Sequence, residues 1–173
     1  MKRVLLCTLA VLMLASLAFA AGETMTPQQA MEKVMNCPVC SAWNPVAQNI
    51  RYDIFTTKNG TIETFMNAGA DQATWDACSA DCEKRMAGVA TMSADQKAKL
   101  CPFCMAHMNL MSAKDVTIQN YKAHTGWVTT TAWNNPAGQK AVTDYATSMK
   151  NTSQLLETAA MSMKPAETQK GKM

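Results

Sequence analysis

IRYDIFTTKNGTIETFM, running from Ile50 to Met66, decides the fold. Ile50-Arg51-Tyr52-Asp53-Ile54 alternates apolar and polar side chains, and Thr61-Ile62-Glu63-Thr64-Phe65-Met66 does so again beyond Lys58-Asn59-Gly60. Alternation with a period of two belongs to a strand with one buried face, and Asn-Gly between two β-forming runs signals a tight hairpin. The same pattern returns later as Val116-Thr117-Ile118-Gln119, His124-Thr125-Gly126 and Trp127-Val128-Thr129-Thr130-Thr131. A second hairpin is therefore expected there.

Helical patterns flank both hairpins. Met31, Val34, Met35, Val39, Ala42, Trp43 and Val46 recur at intervals of three and four, one apolar stripe along a helix. Pro38 interrupts that stripe, so the helix must kink or restart there. Thr26, before Pro27, and Ser93 have the chemistry of N-caps. Helices are also expected over 71–88, with Trp75, Cys78, Cys82, Met86 and Val89 on one face, and over 138–160, with Val142, Tyr145, Met149 and Leu156.

The order of these features repeats. Thr24-Met25-Thr26 returns as Thr91-Met92-Ser93, and a helical stretch and a Cys-Pro-x-Cys follow each time. The period is about 65 residues and occurs twice, too long and too few for a solenoid. Residues 24–90 form a first unit carrying Cys37-Pro38-Val39-Cys40 and the Cys78/Cys82 pair. Residues 91–160 form a second carrying Cys101-Pro102-Phe103-Cys104. The expectation is an α+β architecture of tandem duplicated helix–hairpin–helix units, the hairpins pairing into a four-stranded antiparallel sheet with helices packed on it.

The ends read differently. MKRVLLCTLAVLMLASLAFA, residues 1–20, has a short basic start, an apolar run and small residues at Ala18 and Ala20, the pattern of a secretory signal. Its apolar run is short for a membrane span, which takes about 20 residues. The expected product is a periplasmic or secreted protein with no span in the mature chain. Residues 161–173 are polar and lysine-rich and are expected to be disordered. Without the leader, fourteen Lys and Arg face thirteen Asp and Glu, scattered without a stripe, which argues against nucleic acid as a partner.

Six cysteines remain after the leader, in three local pairs. An even number in an exported chain points to disulfides in a stapled binding or structural domain. Metal coordination is the sharper expectation, because thiolate, thioether and imidazole suit Cu(I) and, without the methionines, Zn(II). The first unit offers Cys37, Cys40, Cys78 and Cys82. The second offers Cys101, Cys104, His107 and His124. His107 aligns with Trp43 on the apolar stripe, where a core imidazole is the plainer reading, and His124 falls in a turn. Met105, Met108 and Met111 read as core filler before a metal box. The thirteen methionines of the mature chain nonetheless tilt the expected metal toward copper, held for sequestration or handover to an envelope partner.

Cys-Pro-x-Cys resembles the redox motif of thioredoxin-like oxidoreductases, which implies a thiol–disulfide exchange activity with the first cysteine at a helix N-terminus. That scaffold places a β-strand immediately before its motif, whereas residues 27–36 have helical periodicity. No Gly-rich phosphate loop, His-Glu-x-x-His or Gly-x-Ser-x-Gly occurs. The sequence thus favours a non-enzymatic, exported soft-metal protein.

Overall fold

The computed structural model describes residues 25–163. The expected leader, residues 1–20, and residues 164–173 of the expected tail lie outside the described residues. Helix α1 spans Pro27–Met35, followed by a 3-10 helix at Cys40–Asn49, then β1 (Ile50–Thr57), β2 (Gly60–Asn67) and α2 (Gln72–Ala87). A 3-10 turn at Val89–Thr91 leads to α3 (Ala94–Lys97), α4 (Pro102–Met111), β3 (Val116–Ala123), β4 (Gly126–Trp133) and α5 (Pro136–Met163). Since α5 reaches Met163, residues 161–163 are helical rather than part of a disordered tail, and Ser162 accepts a hydrogen bond from the Gln28 side chain of α1 there.

Local chemistry sets these boundaries. Thr26 and Gln29 close a capping box on α1, and Ser93 and Gln96 do the same on α3, so both expected N-caps are present. Pro38 ends the first apolar stripe as a helix: α1 stops at Met35, and the chain restarts as a 3-10 helix at Cys40. Pro102 has the opposite effect. At the first turn of α4 its missing N–H costs nothing, so the second motif opens a regular helix.

The strands form one antiparallel sheet in the order β1-β2-β4-β3. In both hairpins the glycine is the first residue of the inner strand rather than part of the two-residue turn, with Thr57 paired to Gly60 and Ala123 to Gly126. Close approach requires each glycine, and Gly126 also has a φ of +152°. A Cβ at Gly60 would lie 1.8 Å from the Thr131 carbonyl oxygen, and one at Gly126 would lie 2.1 Å from that of Phe65. The two glycines thus hold opposite ends of the β2–β4 ladder. At the middle of that ladder Glu63 pairs with Thr129, residues that occupy the same place in their own hairpins. The inner strands are therefore related by a local two-fold between Glu63 and Thr129.

Helices cover one sheet face. Ala106, Leu110, Val142, Tyr145 and Met149 pack there against Tyr52, Ile54, Val116, Ile118 and Trp133. Val46, Trp75 and Cys78 pack with Trp43, Ile50, Phe65 and Trp127. Among the described residues, no helix is long and apolar enough to cross a membrane.

A buried carboxyl sits between sheet and α5. Glu63 accepts hydrogen bonds from the Tyr145 hydroxyl at 2.6 Å and the Tyr52 hydroxyl at 2.9 Å. Burial pushes its carboxyl above the usual range, and the two hydroxyls offset part of that rise. A folded value above the unfolded one means that this group contributes stability below about pH 4.5, lost as pH rises through the folded value. Glu63→Gln is expected to remove this slope, read as the thermal midpoint of variant and wild type across that interval. An identical slope in both proteins would place its origin elsewhere.

Candidate metal centre

The two Cys-Pro-x-Cys turns meet in the core. In the first, the Cys37 carbonyl accepts from the Ser41 N–H at 3.1 Å, closing one helical turn over the motif. In the second, Cys101 is the N-cap of α4 and its carbonyl accepts from the Met105 N–H at 3.0 Å. Each motif therefore presents both sulfurs at the start of a helical segment, where unpaired N–H groups and the peptide dipoles favour negative charge.

Cys37, Cys40, Cys101 and Cys104 converge so that all four Sγ atoms lie within 4.8 Å of one another. The close contacts cross between the units: Cys37 to Cys104 at 3.6 Å, Cys40 to Cys101 at 3.3 Å and Cys40 to Cys104 at 3.3 Å. Zinc–thiolate bonds of about 2.3 Å put the corners of a tetrahedron about 3.8 Å apart, so these separations fit one four-coordinate ion. No disulfide joins any of the six cysteines of the described residues, so the expected bridges are absent.

The surroundings are apolar. Cys37 and Cys101 are fully buried, Cys104 is buried, and Cys40 is the partly exposed member. Val39, Val89 and Leu100 complete the buried cluster, with Val34, Phe103, Met86, Met92 and Met108 packed against it. The Cys101 N–H points to the Cys37 sulfur at 3.5 Å. Hydrogen bonds from Cys101, then Cys104 and Cys40, hold the Cys37 thiol well below its usual range, and the bond to Cys101 leads those that push Cys40 well above it. Cys101 is lowered chiefly by Cys104, and Cys104 is raised chiefly by Cys101. The four thiols are coupled and titrate as a set. A bound cation would displace the protons the set still carries.

The other expected ligands lie elsewhere. Cys78 is buried beside Trp75 and Val46, and burial raises its thiol. Cys82 packs on the edge of the four-cysteine cluster outside the four-sulfur group, and burial raises it as well. His107 lies on α4 with its ring centroid 6.5 Å from that of Tyr145, and burial lowers its pKa. His124 is exposed in the β3–β4 turn. The four-donor sets expected within each unit therefore do not form among the described residues. Cys78 and Cys82 follow the hairpin on α2, which carries Cys78 into the aromatic core, while α4 brings the second motif against the first.

The surroundings of a thioredoxin-like motif are missing too. Helices α1 and α3 precede the two motifs, and Cys37 and Cys101, the sulfurs that would attack a substrate disulfide, have no exposed surface. Sequence patterns do not mark Arg85, which reaches the first motif from α2, or Ser41, which receives it. Neither belongs to a motif, and only the fold brings them together. No family model, curated protein or solved structure matches the chain.

Proposed function

We propose that this chain is an exported, non-enzymatic metal-binding protein that holds one ion, zinc first, between Cys37/Cys40 and Cys101/Cys104. The observation that carries this reading is four unbridged sulfurs within 4.8 Å of one another in an apolar core. Four thiolates around one point suit a tetrahedral zinc. Cu(I) handover would call for exposed thiolates and fewer donors, whereas three of these four are buried. The methionines nearest the cluster, Met86, Met92 and Met108, pack against it as apolar filler. The ion would link the two units, which we read as a duplicated element, and coordination would shield the thiols in an oxidising compartment.

The test is metal analysis of the protein purified from the envelope, paired with alkylation under denaturing conditions without reductant. One zinc per chain and six alkylated cysteines are expected, and Co(II) in place of zinc should give the intense visible bands of a tetrahedral thiolate site. No metal together with four cysteines protected as two bridges would overturn the proposal. Stoichiometric copper would keep the site and replace the ion.

A further inference from the structure

The two halves of the site are held differently. Cys101-Pro102-Phe103-Cys104 opens a regular ten-residue α-helix. Cys37-Pro38-Val39-Cys40 instead leads into a ten-residue 3-10 helix with Pro45 inside it. Runs of 3-10 helix longer than about four residues are uncommon because their hydrogen bonds are poorly aligned. Such a segment depends on bracing from outside, and α2 packs along it.

Arg85 of α2 supplies a specific brace. One guanidinium nitrogen, Nη1, donates to the Ser41 hydroxyl at 2.8 Å and to the Pro38 carbonyl, inside the motif, at 3.3 Å. The other, Nη2, pairs with the Asp81 carboxylate one helical turn back at 2.6 Å. Among the described residues, Arg85 is the one charged side chain hydrogen-bonded to either Cys-Pro-x-Cys turn or to the residue after it. Because Asp81 already pairs with the guanidinium, Arg85 acts on the motif by holding its turn rather than by supplying net charge. Cys40, the one residue of the four that is only partly buried, stands in the turn that Arg85 holds, so that turn must shift for its sulfur to let go of an ion.

We infer that Arg85, oriented by Asp81, is the latch of the metal centre. It positions the Cys37–Cys40 turn and sets how fast the ion leaves through Cys40, while Cys101/Cys104 is the anchoring pair. This rests on the metal-binding reading above. A lysine keeps the charge but not the planar fork that spans Ser41, Pro38 and Asp81 together.

The experiment is the rate of zinc loss from the loaded full chain to an excess of chromogenic chelator, for wild type, Arg85→Met, Arg85→Lys and Asp81→Asn. Substituting groups that orient metal ligands commonly weakens binding 10–100-fold. Arg85→Met is therefore expected to release zinc at least about 10-fold faster, with Arg85→Lys and Asp81→Asn between it and wild type. The thermal midpoint of the metal-free protein is measured alongside and should stay with that of metal-free wild type. Equal release rates in wild type and Arg85→Met would overturn the latch and leave the metal site standing. A metal-free midpoint that falls in step with the release rate would overturn it as well, by making Arg85 a general stabiliser. A wild-type chain that takes up no zinc would sink both the site and the latch.

Discussion

If the four cysteines hold an ion as proposed, stripping it with a chelator is expected to lower the thermal midpoint of the protein by about 10 °C or more. An ion that binds only the folded chain stabilises it by RT ln(1 + [L]/Kd), about 4 kcal/mol at a thousand times Kd, and each kcal/mol moves the midpoint by roughly 2–4 °C for a chain of this size. A metal-free state would be poor for a second reason, because four thiols are crowded in an apolar core. Cys37→Ser or Cys101→Ser removes a fully buried donor and is expected to reproduce most of the loss, with zinc content falling in step. Cys78→Ser, outside the four-sulfur group, is expected to leave zinc content unchanged. A midpoint indifferent to the chelator in a zinc-loaded sample would separate binding from folding and refute the stapling role.

Trp75→Ala is expected to cost about 4 kcal/mol, the scale for deleting a large buried aromatic. Trp75 is 2% exposed on α2. Its ring centroid lies 4.8 Å from Trp43, 5.6 Å from Phe65 and 6.0 Å from Trp127. These rings come from the 3-10 helix, β2, α2 and β4, so one deletion opens a cavity where four elements meet, one of them from the second unit. Urea unfolding of the zinc-loaded variant reads the effect as a lower midpoint concentration with an unchanged slope. A loss under about 1 kcal/mol would mean that the remaining rings close the gap.

The two hairpins were legible because alternation with a period of two is a local signal, and the caps at Thr26 and Ser93 are local as well. The four-stranded antiparallel sheet with helices packed on it follows once the hairpins pair. What could not be read is which partners meet across the chain. Spacing suggested Cys37/Cys40 with Cys78/Cys82, since those pairs share a unit, and the histidines for the rest. The fold instead joins Cys37/Cys40 to Cys101/Cys104, separated by more than sixty positions, and no residue between them records that choice. Arg85 was illegible for the same reason: its partners Pro38 and Ser41 are more than forty positions away. The glycines marked both hairpins correctly, but the further demand for them, close approach of the neighbouring inner strand, was not legible.

The pairing of Glu63 with Thr129 puts each inner strand opposite its own counterpart, and the sulfurs follow the same exchange, Cys37 with Cys104 and Cys101 with Cys40. Each half therefore supplies two of the four sulfurs and neither supplies all of them. On the proposed reading, severing the backbone in the connection after Gly88 would make zinc capture a bimolecular event, dependent on fragment concentration. In the intact polypeptide the tether would make it unimolecular, so a bound ion would report whether the two pieces have found each other.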